Sequence, residues 1–392
     1  MRLQIRHLCC FFAVSFVTGF DVAFGESLDP RRARPEELGL DATRLEYIGN
    51  VVDEGLQRGR MLGCVVLVGR SNGIALLKAY GHRQLKPNRV RMTTDTVFDL
   101  ASLTKPIATA TIVMVLVEKG QIDLADPVAK FIPEFAKNGK AKITIQQLLT
   151  HQGGLIPDNS IRDYEDGPAE AYRRIYALKP TVEPGTQFIY TDVGFIVLAK
   201  VVEKVTGKDI HEISQQTTFR PLGMSETGYL PGDELKARAA PTQQRDGHWM
   251  RGEVHDPRAY RLGGVAGHAG LFSTAEDLAR YAQMMLGASD VRVLKPETIE
   301  LMTRPVKVSS GLRGLGWDKK STYSSTRGDL FTPRAFGHGG FTGTAIWIDP
   351  GSDLFVVFLS NRVHPDGKGS VNSLIGRIGT IAAASILRDD GR

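Results

Sequence analysis

The chain has 392 residues, 42% of them hydrophobic and 23% charged, with no low-complexity tract, which is the composition of a globular protein with a large core. Its net charge of +6 is thinly spread. No stretch combines clustered Lys/Arg with aromatic stacking residues, so no nucleic-acid partner is indicated, and the three cysteines form no Cys-x-x-Cys metal site.

Arg2 and Arg6 precede an apolar run from Leu8 to Phe20, and Ala23-Phe24-Gly25 has the small residues of a cleavage site. Residues 1–25 therefore read as a secretory signal peptide, and the protein as exported, periplasmic or secreted. An uncleaved anchor is the alternative, but the run is short for a bilayer, and no stable membrane span is expected after cleavage. Cleavage leaves Cys64 alone in the apolar run Cys64 to Val68, where a buried structural thiol is expected.

Asp41 to Leu56 has helical spacing of apolar residues, and two short apolar runs, Cys64 to Val68 and Ile74 to Ala79, flank a turn at Arg70-Ser71-Asn72-Gly73. Gly69 to Gly73 matches the Gly-x-Ser-x-Gly elbow, but an elbow needs a strand followed by a helix. Here a second strand follows, which puts Ser71 at a hairpin tip.

Ser102-Leu103-Thr104-Lys105 lies between the short apolar run Val97 to Ala101 and an apolar helix from Ile107 to Glu118. Proline is tolerated only in a first helical turn, so Pro106 places Ser102 at or just before the helix N-terminus, with Lys105 one turn on along the same face. The Ser102 amide is then a helix-end donor at the positive end of the dipole. A Ser-x-x-Lys match arises by chance about once in a chain of this composition, so its weight depends on what accompanies it.

From about Ile122 to Met302 the pattern is largely helical. Thr144 opens Ile145 to Thr150, Val193 to Val205 is an apolar helix for which Asp192 is an available N-cap, and Ser273-Thr274-Ala275-Glu276 caps Leu278 to Leu286. Strand signals return at Thr344 to Ile348 and Leu354 to Leu359, around the turn Asp349-Pro350-Gly351-Ser352, and Val371 to Leu387 is a last helix. The expected fold class is α/β (α+β), with one antiparallel sheet assembled from both ends of the chain, flanked by helices, and an inserted helical lobe. The α/β part would comprise about 38–121 and 303–392, the helical lobe about 122–302, within a single catalytic domain over 26–392.

Four segments in order carry a resemblance: Phe98 to Pro106, Leu148-Leu149-Thr150-His151-Gln152-Gly153-Gly154-Leu155, Pro184 to Phe195 with Tyr190-Thr191-Asp192, and Gly337-His338-Gly339-Gly340-Phe341-Thr342-Gly343-Thr344. Together they resemble the class C β-lactamase-related serine hydrolases, which include class C β-lactamases, penicillin-binding proteins acting as D-alanyl-D-alanine peptidases, and esterases. The resemblance runs from about Glu37 to Leu387 and implies the β-lactamase/transpeptidase-like fold. Pro221-Leu222-Gly223-Met224 and the glycine-rich run Gly264 to Thr274 are similar to further family landmarks.

The resemblance implies Ser102 as the nucleophile, Lys105 and Tyr190 as its proton-shuttling partners, and the amides of Ser102 and Phe341 as oxyanion donors. A serine hydroxyl needs such a neighbour, and lysine can accept a proton only when neutral, a state that burial favours. Gly339 and Gly340 would let the substrate backbone approach closely. Two positions depart from the family pattern. Asp192 stands where asparagine is usual, and a carboxylate beside Lys105 can only accept hydrogen bonds and stabilises the ammonium. His338 replaces the lysine of a Lys-Thr-Gly motif and, as an imidazole, implies weaker and pH-dependent capture of an anionic substrate, more easily of a neutral one.

His151 is placed by the second motif either in the cleft or in a structural hydrogen bond. His255-Asp256 and His268 have no third residue at ligand spacing, and His211-Glu212 lacks the second histidine of a zinc-protease helix, so neither metal nor other cofactor is expected. The expectation is a serine hydrolase that cleaves an ester or peptide bond in a small-molecule or peptide substrate (an ester, a peptidoglycan stem peptide or a β-lactam), as an esterase or D-Ala-D-Ala carboxypeptidase. A class C β-lactamase and a non-hydrolytic penicillin- or peptide-binding sensor are the alternatives.

Overall fold

The computed structural model describes residues 31–387; residues 1–25, which the sequence reads as a signal peptide, lie outside them. A nine-stranded antiparallel sheet runs in the order Val90–Arg91, Gly73–Gln84, Gly63–Arg70, Leu354–Ser360, Thr344–Asp349, Phe336–Gly340, Asp318–Ser321, Gly311–Arg313 and Val306–Val308. The two ends of the chain meet at its centre, where Cys64 pairs with Ser360 and Val68 with Val356.

Side chains alternate across a strand, and here both faces are covered. Cys64, Val66 and Val68 face a core closed by the helices Ala42–Gln57 and Asn372–Ala384, through Leu45, Ile48, Ile375 and Ile378. Val65 and Leu67 face the larger core shared with Thr111–Glu118, Asp192–Thr206 and Ala275–Met285. Cys64 is buried as expected, and its burial pushes the thiol pKa up.

The expected helices and strands are present, with differences that bear on the site. Asp41 caps the first helix, accepting from the Arg44 amide, and Thr144 forms a full capping box with Gln147. Ser71 sits at a hairpin tip, its amide and hydroxyl both donated to Asp353. The Asp192–Thr206 helix corrects one expectation: its N-cap is Thr191, whose hydroxyl accepts from the Gly194 amide, and Asp192 is the first helical residue, free to turn its carboxylate elsewhere. Short strands also appear that the sequence pattern did not show, two of them inside the largely helical middle of the chain. Phe98–Asp99, Leu271–Ser273 and Gly228–Tyr229 form a small sheet that holds the segment just before Ser102.

Candidate active site

Ser102 lies in a one-turn 3-10 helix, Ala101–Leu103, which leads through a wide π-helical turn at Lys105–Ala110 into Thr111–Glu118. Although apolar enough to cross a membrane, this helix is packed inside the protein. Ala101 has φ +46°, a left-handed conformation that costs a non-glycine residue about 1 kcal/mol and persists only when its surroundings impose it. They do so through Asp99, whose buried carboxylate accepts the Ala101 amide at 2.8 Å and the His255 amide at 2.7 Å. Burial pushes the Asp99 pKa up to about 6.

The same turn is tied to the strand Phe336–Gly340 and to the threonines just beyond its end. Thr342 donates to the Asp99 carbonyl at 2.7 Å and Thr344 to the Leu100 carbonyl at 3.0 Å. Gly340 packs so tightly that a Cβ there would lie 2.4 Å from the Leu100 oxygen, so only glycine allows the strand end to approach Ser102 this closely. Next in the chain, Phe341 has its ring exposed, stacked against the His255 imidazole at 5.6 Å and covered by the Arg362 guanidinium at 4.6 Å.

Lys105 is fully buried, and its ammonium reaches Ser102 Oγ at 3.0 Å, the His268 carbonyl at 3.2 Å and the Asp192 carboxylate at 2.5 Å. Burial alone would lower the Lys105 pKa, but the charge of Asp192, with a smaller contribution from Tyr190, raises it instead. Lys105 is therefore held as an ammonium, the consequence that a carboxylate at 192 carries. Behind it, His268 Nε2 lies 3.0 Å from Asp256. Burial opposes ionisation of Asp256, yet His268, the Ala259 amide and Lys105 keep its pKa well below the usual carboxylate range. The fold supplies the third residue that the sequence spacing did not show: Asp192, Asp256 and His268 bring three possible ligand atoms within 4.8 Å of one another, although Asp192 is paired with Lys105 and Asp256 with His268.

Tyr190 lies over Lys105, with 5.0 Å from the ammonium to its ring centroid, and is sandwiched by His151 at 4.5 Å and Tyr323 at 4.9 Å. A cleft of about 270 Å³ is lined by Ser102, Tyr190, His338, Gly339, Gly340 and Phe341, which brings six of the nine expected site residues to one surface. Lys105 lies directly beneath it. Asp192 and His151 do not line it: Asp192 acts on Lys105, and His151 is buried behind Tyr190, its Nδ1 accepting the Thr191 amide at 3.1 Å. Of the two places the sequence left open for His151, the structure shows the structural hydrogen bond, in support of Tyr190 and the Thr191 cap, and not the cleft.

His338 also differs from expectation. Its Nδ1 donates to the Gly339 carbonyl at 2.8 Å, and burial, reinforced by Arg313 and Lys105, pushes its pKa well below 6.5. The ring is neutral with a lone pair on Nε2, so it offers no imidazolium for an anion between pH 8 and 6. His151 is depressed likewise, by burial first and then by Arg313, Lys105 and His338. Both rings stay neutral in the fold but charge below about pH 6.5 in the unfolded chain, so they cost stability as pH falls from there. His151→Gln, which keeps an acceptor for the Thr191 amide, is expected to shallow the pH dependence of unfolding free energy between pH 7 and 5 by up to about 1.4 kcal/mol per pH unit. An unchanged slope in denaturant titrations would place that proton uptake elsewhere.

The cleft contains residues the sequence pattern did not single out: Arg313, Asp318, Tyr323, Thr326, Arg362 and Asn372. Arg313 had one available signal, a lone cation inside the glycine-punctuated run Gly311-Leu312-Arg313-Gly314-Leu315-Gly316. The others come from distant loops that only the fold brings together.

A serine in contact with a buried lysine, beside a tyrosine and a glycine-rich strand end, on a helix-flanked antiparallel sheet, defines the β-lactamase/transpeptidase class of serine-hydrolase folds. The profile of the Beta-lactamase family matches residues 48–377, and the chain belongs to that family of serine hydrolases. Among curated relatives, proteins of Escherichia coli O157:H7 and of strain K12, both provisionally named D-alanyl-D-alanine carboxypeptidase, are each 32% identical over 84% of this chain and 85% of their own. Similar solved folds include a penicillin-binding protein homologue from Caulobacter crescentus, with a TM-score of 0.71 and 20% identity over 88% of this chain and 99% of that one. A class C β-lactamase has a TM-score of 0.72 and 18% identity over 88% and 97% of the two chains. A hydrolase with promiscuous acyltransferase activity, EstCE1, has a TM-score of 0.68 and 21% identity over 88% and 99%.

Proposed function

We propose that the protein is an exported serine hydrolase that cleaves an ester or peptide bond through an acyl-enzyme on Ser102, as a D-alanyl-D-alanine carboxypeptidase or a related esterase. The observation that carries this reading is the 3.0 Å contact of Lys105 Nζ with Ser102 Oγ in the wall of an open cleft. The carboxypeptidase names of the E. coli relatives support the peptide branch of it, and the signal-like segment at 1–25 supports export.

Lys105 is held as an ammonium and cannot accept the serine proton, so the proton path runs through Tyr190. Ser102 Oγ attacks the acyl carbon, Tyr190 Oη takes its proton and passes its own hydroxyl proton to the departing oxygen or nitrogen, and the bond to that atom breaks. Lys105 polarises the oxygens without losing its proton, and the amides of Ser102 and Phe341 hold the oxyanion. Water then attacks the ester along the reverse path and releases the acid.

The test is to offer the purified protein a short-chain ester, a D-alanyl-D-alanine peptide and a chromogenic cephalosporin, with peptide mass mapping of trapped adducts. Turnover of the ester or the peptide, with the acyl mass on the Ser102 peptide, is the expected result. Acylation of Ser102 without turnover would favour the sensor alternative, for which the locked Lys105 ammonium is the physical motive; an adduct elsewhere, or turnover without one, would remove Ser102 from its role.

A further inference from the structure

Asp99 is buried beneath the cleft and does not line it, yet several parts of the proposed machinery are tied to it. One carboxylate oxygen accepts the Ala101 amide at 2.8 Å, the other accepts the His255 amide at 2.7 Å, and the backbone carbonyl accepts the Thr342 hydroxyl at 2.7 Å. The first bond holds the left-handed residue of the turn that presents Ser102. The second holds a segment 156 residues away in the chain, whose His255 ring is stacked on Phe341 at 5.6 Å. The third holds the residue just past Phe341. Ser102 and Phe341 carry the two amides that the proposed mechanism aims at the oxyanion, so both donors are anchored to one side chain and its own backbone.

The His255 branch continues to Lys105. The next residue, Asp256, pairs with His268 at 3.0 Å, and the His268 carbonyl accepts from the Lys105 ammonium at 3.2 Å. Asp99 itself has no salt-bridge partner among the described residues, and burying a carboxylate without one is costly. A neutral side chain could have filled the space. What the carboxylate adds is two acceptors on one rigid group, facing two amides from separate parts of the fold.

We infer that Asp99 is a positioning residue for the oxyanion site: its carboxylate holds the Ser102 turn and, through His255, the Phe341 strand end at the separation a tetrahedral intermediate requires. This deepens the proposed hydrolase reading and rests on it for the roles of the two amides. A pH dependence follows. The ionised carboxylate accepts from both amides, whereas the protonated acid turns a donor toward one of them. Burial pushes the Asp99 pKa up to about 6, with Asp256 adding to the rise and the two amides and Arg245 opposing it. The adjoining His255 ring has its own pKa lowered by burial, helped by Arg245 and Arg362 and opposed by Asp256. The two oxyanion donors are thus held together above about pH 6 and slacken below it.

Phenylboronic acid is a suitable probe, because its boron becomes a tetrahedral anion on a serine oxygen and reports the oxyanion site whatever the natural substrate. Asp99→Asn keeps the volume but turns a donor toward one amide at every pH. It is expected to weaken boronate binding at neutral pH about 100-fold, the effect of a misplacement of about 1 Å. On any substrate turned over, kcat should fall alike, with KM changed by less than about threefold. The parent's boronate affinity should fall as pH drops through about 6, and that of Asp99→Asn should be flat there. Ala101→Gly, which adopts the left-handed conformation without strain, should restore about tenfold in the Asp99→Asn background. A merely structural Asp99 would lower unfolding free energy and the fraction of sites that bind boronate while leaving affinity per site unchanged. That result overturns the inference, as does a pH profile that survives Asp99→Asn or a failure of Ala101→Gly to rescue. Should Asp99→Asn not fold, the parent decides, and an affinity that is constant for one pH unit on either side of about 6 overturns it. A parent that binds no boronate removes the hydrolase reading and this inference together, whereas a parent that binds it no better than Asp99→Asn removes the inference alone.

Discussion

Ser102→Ala is expected to reduce turnover on the order of 10⁶-fold, the scale seen when the nucleophile of a serine hydrolase is removed, while changing folding stability by no more than about 1 kcal/mol. The two effects separate because of how Lys105 is held. Loss of Ser102 Oγ removes one of three partners of the ammonium, and the Asp192 carboxylate and the His268 carbonyl remain. The turn itself is fixed by Asp99, Thr342 and Thr344, none of which contacts the serine hydroxyl through the bonds that hold it. Steady-state assays on whichever substrate the protein turns over, paired with denaturant unfolding, check both halves. Activity within tenfold of the parent would sink the nucleophile assignment, and a large loss of stability would mean the turn depends on Ser102 itself.

Lys105→Ala is expected to act on both quantities. Removing one member of a buried pair leaves the other charge uncompensated, which costs about 3–5 kcal/mol, and Asp192 would be that charge. Turnover should fall about 10²- to 10⁴-fold, the range of a lost proton-transfer or polarising group. Pairing the change with Asp192→Asn distinguishes the two origins. The double variant should recover most of the lost stability, because the stranded carboxylate is gone, and little of the turnover, because Ser102 still lacks its cation. Purely additive losses of stability in the double-mutant cycle would show that the two side chains do not act as a pair.

Much of this site was legible in the chain before folding was considered, and for identifiable reasons. Ser102, Lys105 and Pro106 are bound to one another by local helix geometry, and Gly339, Gly340 and Phe341 follow one another at a strand end in a motif whose roles the family resemblance implied. Local rules reach that far. They failed at Asp192, where two adjacent residues could each have been the cap and only the structure showed Thr191 taking the role, releasing the carboxylate toward Lys105. They failed at His338, whose protonation is set by burial and by Arg313 and Lys105, groups far away in sequence. His151 carries the same lesson, since its place behind Tyr190 depends on packing between two loops about 40 residues apart. The short strands at Phe98–Asp99, Gly228–Tyr229 and Leu271–Ser273 are two or three residues long, too brief for a period-two pattern to stand out from a helical background.

The interleaving of the two chain ends has a bearing on how the molecule comes into being. Because Gly63–Arg70 completes its pairing only with Leu354–Ser360, nearly the whole polypeptide must be available before the central sheet can close. Such distant contacts make closure entropically slow, and an emerging or truncated chain presents Gly63–Arg70 as an open, strongly apolar edge. Synthesis order thus works against early assembly: the hairpin at 63–84 appears first and waits for its neighbour.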